Sequence, residues 1–86
     1  MSQKEKLLAR LLSKPTDFTY HEARTLMGRF GFYEDKKGKT SGSRVAFVHS
    51  TSKVIVLLHK PHPGDILGLA GVEAIIDGLK ANGDIS

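Results

Sequence analysis

The chemistry open to this chain lies in two histidines, His59 and His62, and in a cationic turn, Gly42-Ser43-Arg44. The histidines stand in Leu57-Leu58-His59-Lys60-Pro61-His62-Pro63-Gly64, where a strand-like run meets two prolines. Imidazole has an ordinary pKa of about 6.5 and exchanges protons near neutral pH. Arginine holds its charge throughout and can grip a phosphate with two N–H groups. A small nucleic-acid-handling domain could use such parts: a cationic loop for phosphate and a poised imidazole for proton transfer. His59, at the end of a strand, is fixed by the sheet yet open to solvent, which suits a proton-transfer group. A half-buried ring bonded to a turn carbonyl is the other reading. His62, between Pro61 and Pro63, is a second proton-transfer group, a base-stacking ring or a plain loop residue. Zinc sites usually take four protein ligands, and here two histidines have only Asp65 nearby, so no metal site is expected.

Around these residues charge is sorted. From Lys36 to Pro63 the chain carries six cations (Lys36, Lys37, Lys39, Arg44, Lys53, Lys60) and no acid. The net charge is +4 over 86 residues. Such a stretch faces a polyanion or is a solvated lysine-rich loop. In the first case Lys36, Lys37, Lys39 and Lys60 add salt-sensitive phosphate affinity, and Ser43 and Arg44 form an anion-facing turn. Tyr33 could stack on a base, and Phe32 reads as core. His21, in the first turn of a helix, reads as surface. His49 reads as a satisfied histidine sharing a face with Val45 and Phe47.

The elements that must hold these residues follow from periodicity and punctuation. Leu7, Leu8, Leu11 and Leu12 make one helical stripe over about Gln3 to Lys14, opened by a box at Ser2-Gln3-Lys4-Glu5 and stopped by Pro15. The stripe packs on the domain itself or receives a partner. Thr19-Tyr20-His21-Glu22 opens a second helix carrying Ala23, Leu26, Met27 and Phe30, with Gly31 as its C′ residue. Phe32 to Asp35 reads as a strand. Arg44 to His49 alternates, with Val45 and Phe47 on one face and Arg44, Ala46 and Val48 on the other. Val54 to Leu58 is continuously apolar and predicts a central strand, or one covered on both sides. Val72, Ile75, Ile76 and Leu79 mark a last helix ending at Asn82-Gly83. The expected fold is α+β, with a small three-stranded antiparallel sheet packed by helices on one face. Residues 1–18 form an additional N-terminal helix and linker, and residues 19–86 the main domain, in a single globular unit.

Composition excludes some classes. The chain has no cysteine, so it has no disulfides, which fits a reducing cytoplasm. It has no apolar run long enough to span a bilayer. A domain of this length has no room for a buried site around a large cofactor, and none is expected.

Without its first helix the order is α-β-β-β-α, and four stretches carry a family resemblance. They are Glu22-Ala23-Arg24-Thr25-Leu26-Met27-Gly28-Arg29-Phe30-Gly31-Phe32, Lys39-Thr40-Ser41-Gly42-Ser43, His59-Lys60-Pro61-His62-Pro63-Gly64 and Leu79-Lys80-Ala81-Asn82-Gly83. Together they resemble the HicA family of bacterial toxin–antitoxin systems over about Thr19 to Gly83. The resemblance implies a fold like the double-stranded-RNA-binding domain. It implies a metal-independent endoribonuclease that cleaves messenger RNA, and a HicB-type antitoxin that covers the active site. In the family a catalytic histidine usually follows the Gly-Ser turn, where this chain has Arg44, which cannot exchange a proton near neutral pH. Either the histidine has moved, with His59 and His62 as candidates, or the domain binds double-stranded RNA without cutting it.

Overall fold

The computed structural model describes residues 3–35, 44–59 and 64–85. Helix α1 spans Gln3–Leu12, and its last turn runs out at Ser13 and Lys14, where Lys14 takes a positive φ of 53°. The helix thus ends two residues before the expected boundary, and the left-handed Lys14 turns the chain ahead of Pro15. Helix α2 spans Tyr20–Arg29. Both halves of its capping box are formed: the Glu22 N–H donates to Thr19 Oγ1 at 3.0 Å, and the Thr19 N–H donates to Glu22 Oε1 at 2.9 Å. The box at Ser2 lies outside the described residues. Gly31 follows α2 with φ of 89°, a left-handed turn that a side chain would strain. Helix α3 spans Leu69–Ala81, and Gly83 closes its far end with φ of 81°.

Three strands, β1 (Phe32–Asp35), β2 (Arg44–His49) and β3 (Ile55–His59), form an antiparallel sheet in the order β1-β2-β3. Directly opposed residues share a face. The register sets Phe32 against His49, and Val45 and Phe47 against Leu58 and Val56. Arg44, Ala46 and Val48 lie on the opposite face, against His59, Leu57 and Ile55. The helices cover the first face only. Burial along β3 alternates: Val56 and Leu58 are 3% and 2% exposed, whereas Ile55 and Leu57 are 59% and 58% exposed. This corrects the expectation for the apolar run at 54–58. It forms an edge strand with one bare face, because β2 is the central strand and all three helices lie on one side. The architecture is the α+β arrangement expected, with helices on one face of a three-stranded antiparallel sheet.

Between sheet and helices lies one core that includes Leu11, Phe18, Leu26, Met27, Phe47, Val72, Ile75 and Leu79. α1 joins it through Leu11, which is fully buried, while Leu12 remains half exposed. The leucine stripe therefore packs on its own domain. Arg10 fastens α1 to the start of α2, donating from Nε to Glu22 Oε2 at 2.8 Å and from Nη2 to Asp17 Oδ1 at 3.0 Å. The Arg10 guanidinium is the main cause holding the Glu22 carboxyl below its ordinary value. α3 approaches β3 closely at the buried Gly78, where an added Cβ would come within 2.1 Å of Val56 Cγ2. Phe18 and Leu67 were not expected in the core. They are brought together by a bridge between Thr19 and Ile66, by Tyr20 N–H donating to the Asp65 carbonyl at 2.7 Å, and by Leu67 N–H donating to the Phe18 carbonyl at 2.8 Å. That clamp fixes the chain just ahead of α3.

Candidate functional site

One end of the sheet gathers the residues that could do chemistry. β1 ends there at Asp35, β2 begins there at Arg44, and β3 ends there at His59. Arg44 and His59 are direct cross-strand partners. Opposed positions in an antiparallel pair hold their Cβ atoms about 4.5–5.5 Å apart on one face. The position that follows Gly42-Ser43 in the sequence is therefore the immediate neighbour of the histidine at the end of β3. His59 is exposed, and its ring makes no hydrogen bond with a described residue. It is held by the sheet through its backbone and left open at its ring.

Beside His59 lies a cleft of about 270 Å³ between the end of β3 and the start of α3. Leu57, Leu58 and Leu67 give it apolar walls, and Gly68, Ala70 and Gly71 line the helical side. Gly68 is the N-cap of α3, with no side-chain cap among the described residues, and its carbonyl accepts the Gly71 N–H at 3.0 Å. The clamp from residues 65–67 to residues 18–20 positions this wall.

Of the residues expected to act, His59 and Arg44 are thus neighbours. His62, Lys36, Lys37, Lys39, Ser43 and Lys60 lie outside the described residues. The ends to which their segments attach, Asp35, Arg44 and His59, all lie at this end of the sheet. Lys53, the remaining cation of the basic stretch, lies at the opposite end, in the β2–β3 turn. Gly68, Ala70 and Gly71 were not expected near the site. Their signal in the sequence was the glycine spacing ahead of Val72, which reads there only as a weak helix start.

The far end of the sheet is built differently. His49 Nδ1 accepts the N–H of Thr51 at 3.2 Å and the N–H of Ser52 at 3.1 Å. A neutral ring with its proton on Nε2 meets that geometry. The ring also stands edge-on to Phe32, with centroids 5.0 Å apart, and lies under Gly31, where an added Cβ would come within 2.9 Å of Nε2. Ser52 Oγ donates to Asn82 Oδ1, and Asn82 Nδ2 donates to Asp84 Oδ2 at 2.7 Å, so the turn is also tied to the end of α3. His49 is the satisfied histidine expected, facing the same side as Phe47. His21 is exposed on α2, as expected of a surface residue.

Tyr20 is a third polar group set into the fold. Its hydroxyl donates to Glu34 Oε2 at 2.9 Å, and Arg24 Nε approaches Glu34 Oε1 at 3.6 Å. Burial, and then the bond to Glu34, push the phenol above its ordinary range. Among the described residues no three histidine, aspartate or glutamate side chains come together as a metal-binding set. No described helix is long and apolar enough to cross a membrane.

No family model matches this chain, and no curated protein or solved structure matches it either.

Proposed function

We propose that this chain is a HicA-like, metal-independent endoribonuclease that cleaves messenger RNA in the cytoplasm and is neutralised by a HicB-type antitoxin. The observation that carries this reading is the cross-strand pairing of Arg44 with His59. A histidine missing from the position after Gly-Ser has a counterpart directly across the ladder, opposite an arginine position.

In this reading one histidine takes the proton from the 2′-hydroxyl, and the oxygen attacks phosphorus. The bond to the 5′-oxygen breaks, and that oxygen receives a proton from the second histidine. His59 performs one transfer and His62 the other. Arg44 stabilises the charge that builds on the phosphorane. Ser43, Lys36, Lys37, Lys39 and Lys60 hold neighbouring phosphates, so binding weakens steeply with salt. The products are a 2′,3′-cyclic phosphate and a 5′-hydroxyl.

The test is incubation of the purified chain with a structured messenger RNA in EDTA, beside His59→Ala and His62→Ala. Cleavage lost in either variant supports the mechanism. Cleavage by the unmodified chain that EDTA abolishes counts against metal-free chemistry. Salt-sensitive retention of RNA with no cleavage would replace it with the reading of a non-catalytic double-stranded-RNA-binding module, consistent with an arginine at position 44.

A further inference from the structure

The two edges of the sheet are guarded differently. In an antiparallel ladder successive residues turn their N–H and C=O groups towards the neighbouring strand and away from it in alternation. The His49 N–H donates to the Val54 carbonyl at 2.9 Å, which fixes the phase of the β2–β3 pair. Val56 and Leu58 therefore bond to β2, and Ile55, Leu57 and His59 turn their backbone groups outward. On the other edge the Ser50 N–H donates to the Gly31 carbonyl at 3.0 Å, so Phe32 and Glu34 are the outward residues of β1. The Glu34 carboxylate, held by Tyr20 and Arg24, sets a charge on that edge, a usual guard against strand pairing. β3 has no such guard. No residue from Ile55 to Leu58 is charged, and none is proline. Its outward residues are also its exposed ones, since Ile55 and Leu57 are more than half exposed and His59 is exposed too. α3 approaches β3 from the core face, where Gly78 meets Val56, and a cleft separates the end of the strand from Leu67, Gly68 and Gly71. Among the described residues no strand pairs with the outer edge of β3.

We propose that this edge pairs with β3 of a second copy of the chain, antiparallel and about a two-fold axis at Leu57. A free edge offers directional backbone groups, and the group that satisfies them is another strand. The spacing of the outward residues selects a second copy. Ile55, Leu57 and His59 are symmetric about Leu57, so an antiparallel copy sets Leu57 against Leu57 and Ile55 against His59 on either side. Each of these three pairs exchanges two N–H···O bonds, about six in all, and no outward group is left over. The contact is isologous, so it closes at two copies. All the paired side chains lie on the bare face, where Ile55 and Leu57 leave water on joining. No paired position carries a lysine, an arginine or an acid, so no like charges are directly opposed. Repulsion between two chains of net charge +4 remains, and salt screens it. Dimerisation therefore strengthens as salt rises, opposite in sign to the retention of RNA. This pairing does not depend on the ribonuclease reading. It joins two sheets into one of six strands, with both Arg44–His59 pairs on the same face.

The chain has no cysteine, so one introduced thiol reports the register. Leu57→Cys sets two thiols directly opposite, with Cα atoms about 5.5 Å apart, within disulfide range. Ile55→Cys sets its two thiols about 14 Å apart along the strands, out of reach. The two positions are equally exposed, so chance collisions treat them alike. The test is mild oxidation of each full-length variant, read on a non-reducing gel, beside sedimentation of the unmodified chain over a wide range of concentration at low and high salt. The expected result is about tenfold more covalent dimer from Leu57→Cys than from Ile55→Cys. The sedimenting mass should rise from one copy towards two with concentration, and sooner at high salt. Leu57→Lys, which opposes two cations at the axis, should stay at one copy throughout. Equal cross-linking of the two cysteine variants would overturn the proposal, as would a mass of one copy at every concentration. A dimer that persists in Leu57→Lys would also overturn it, because the contact would then lie elsewhere. Movement of the Ile55, Leu57 and His59 amide signals in a nitrogen-15-labelled chain on adding polyuridine, and not on raising the chain's own concentration, would assign the edge to RNA instead.

Discussion

His49 and His59 stand at opposite ends of one hairpin and on opposite faces of the sheet, and the fold treats them in opposite ways. His49 accepts two backbone N–H groups, stands against Phe32 and is roofed by Gly31. Its ring is part of the turn. Among the described residues His59 is held through its backbone alone, opposite Arg44, and its ring is exposed beside a cleft. A histidine whose lone pair already serves the backbone is not free to move protons for a substrate. An open one, held at a strand end, is. Residue type alone could not separate the two, whereas the hydrogen bonds of their rings do.

Five substitutions would break or sharpen this contrast. The largest effect is expected on catalysis: His59→Ala lowers RNA cleavage by about 10²–10⁴-fold, the usual share of general acid–base help. The same change alters the urea midpoint little. A cleavage rate within a factor of a few of the parent's would remove His59 from the mechanism. Next comes the contrast between the two faces of β3. Leu58→Ala should cost about 2–5 kcal/mol, as for other buried leucines. Leu57→Ala, on the bare face, should stay within ~0.5 kcal/mol. Equal losses in urea unfolding would mean that both faces are covered.

At the other end, His49→Ala leaves two turn N–H groups without their acceptor and should cost about 1–3 kcal/mol while leaving RNA affinity unchanged. A stable His49→Ala chain would undo the distinction between the two ends. Smallest is Thr19→Ala, which removes the cap of α2 for about 1 kcal/mol.

Two of the described groups tie stability to pH, in opposite directions. Glu22 titrates below its ordinary value of 4.5 in the folded chain, chiefly through Arg10. Its contribution is present above that value and is lost as pH falls through the lowered one, by a small amount because the pair is only part-buried and solvent screens it. Tyr20 has the opposite sign. Its raised phenol is an acid that ionises more readily once unfolded, so its contribution is complete below its ordinary value of 10.0 and declines as pH rises beyond it. Urea midpoints recorded from pH 3 to 11 should fall at both extremes. Tyr20→Phe should flatten the alkaline limb and leave the acidic limb unchanged.

Most of the scaffold could be read from local signals. The box at Thr19 and Glu22, the glycine at 31, the alternation of Arg44–His49 and the spacing from Val72 to Leu79 each act over a few residues, and each appears in the fold. The bare face of β3 could not be read this way. A run such as Ile55-Val56-Leu57-Leu58 has the same composition whether one face or two are covered, and only the placement of the helices decides. Phe18 and Leu67 escaped for a related reason: each lies outside any periodic run, and a long-range backbone clamp buries them. At the candidate site, His59 could be picked out as the end of a strand. Its partner could not, because the pairing of Arg44 with His59 depends on how the turn at Ser50–Lys53 sets the register. The cleft was legible only as two awkward glycines ahead of a helix.

The clamp between residues 18–20 and 65–67 has a consequence for how the chain is assembled. With the β1–β2 ladder, it means that α1, α2 and β1 form one piece and β2, β3 and α3 another, each supplying part of the surface that covers the other. The covalent link between the two pieces is the stretch between Asp35 and Arg44. Severing the chain there removes no hydrogen bond among the described residues. Two peptides made separately should then find each other by mass action, with a melting midpoint that rises with concentration. The domain is in this sense two interlocking halves on one thread, and could be used as a split protein whose reunion restores the whole.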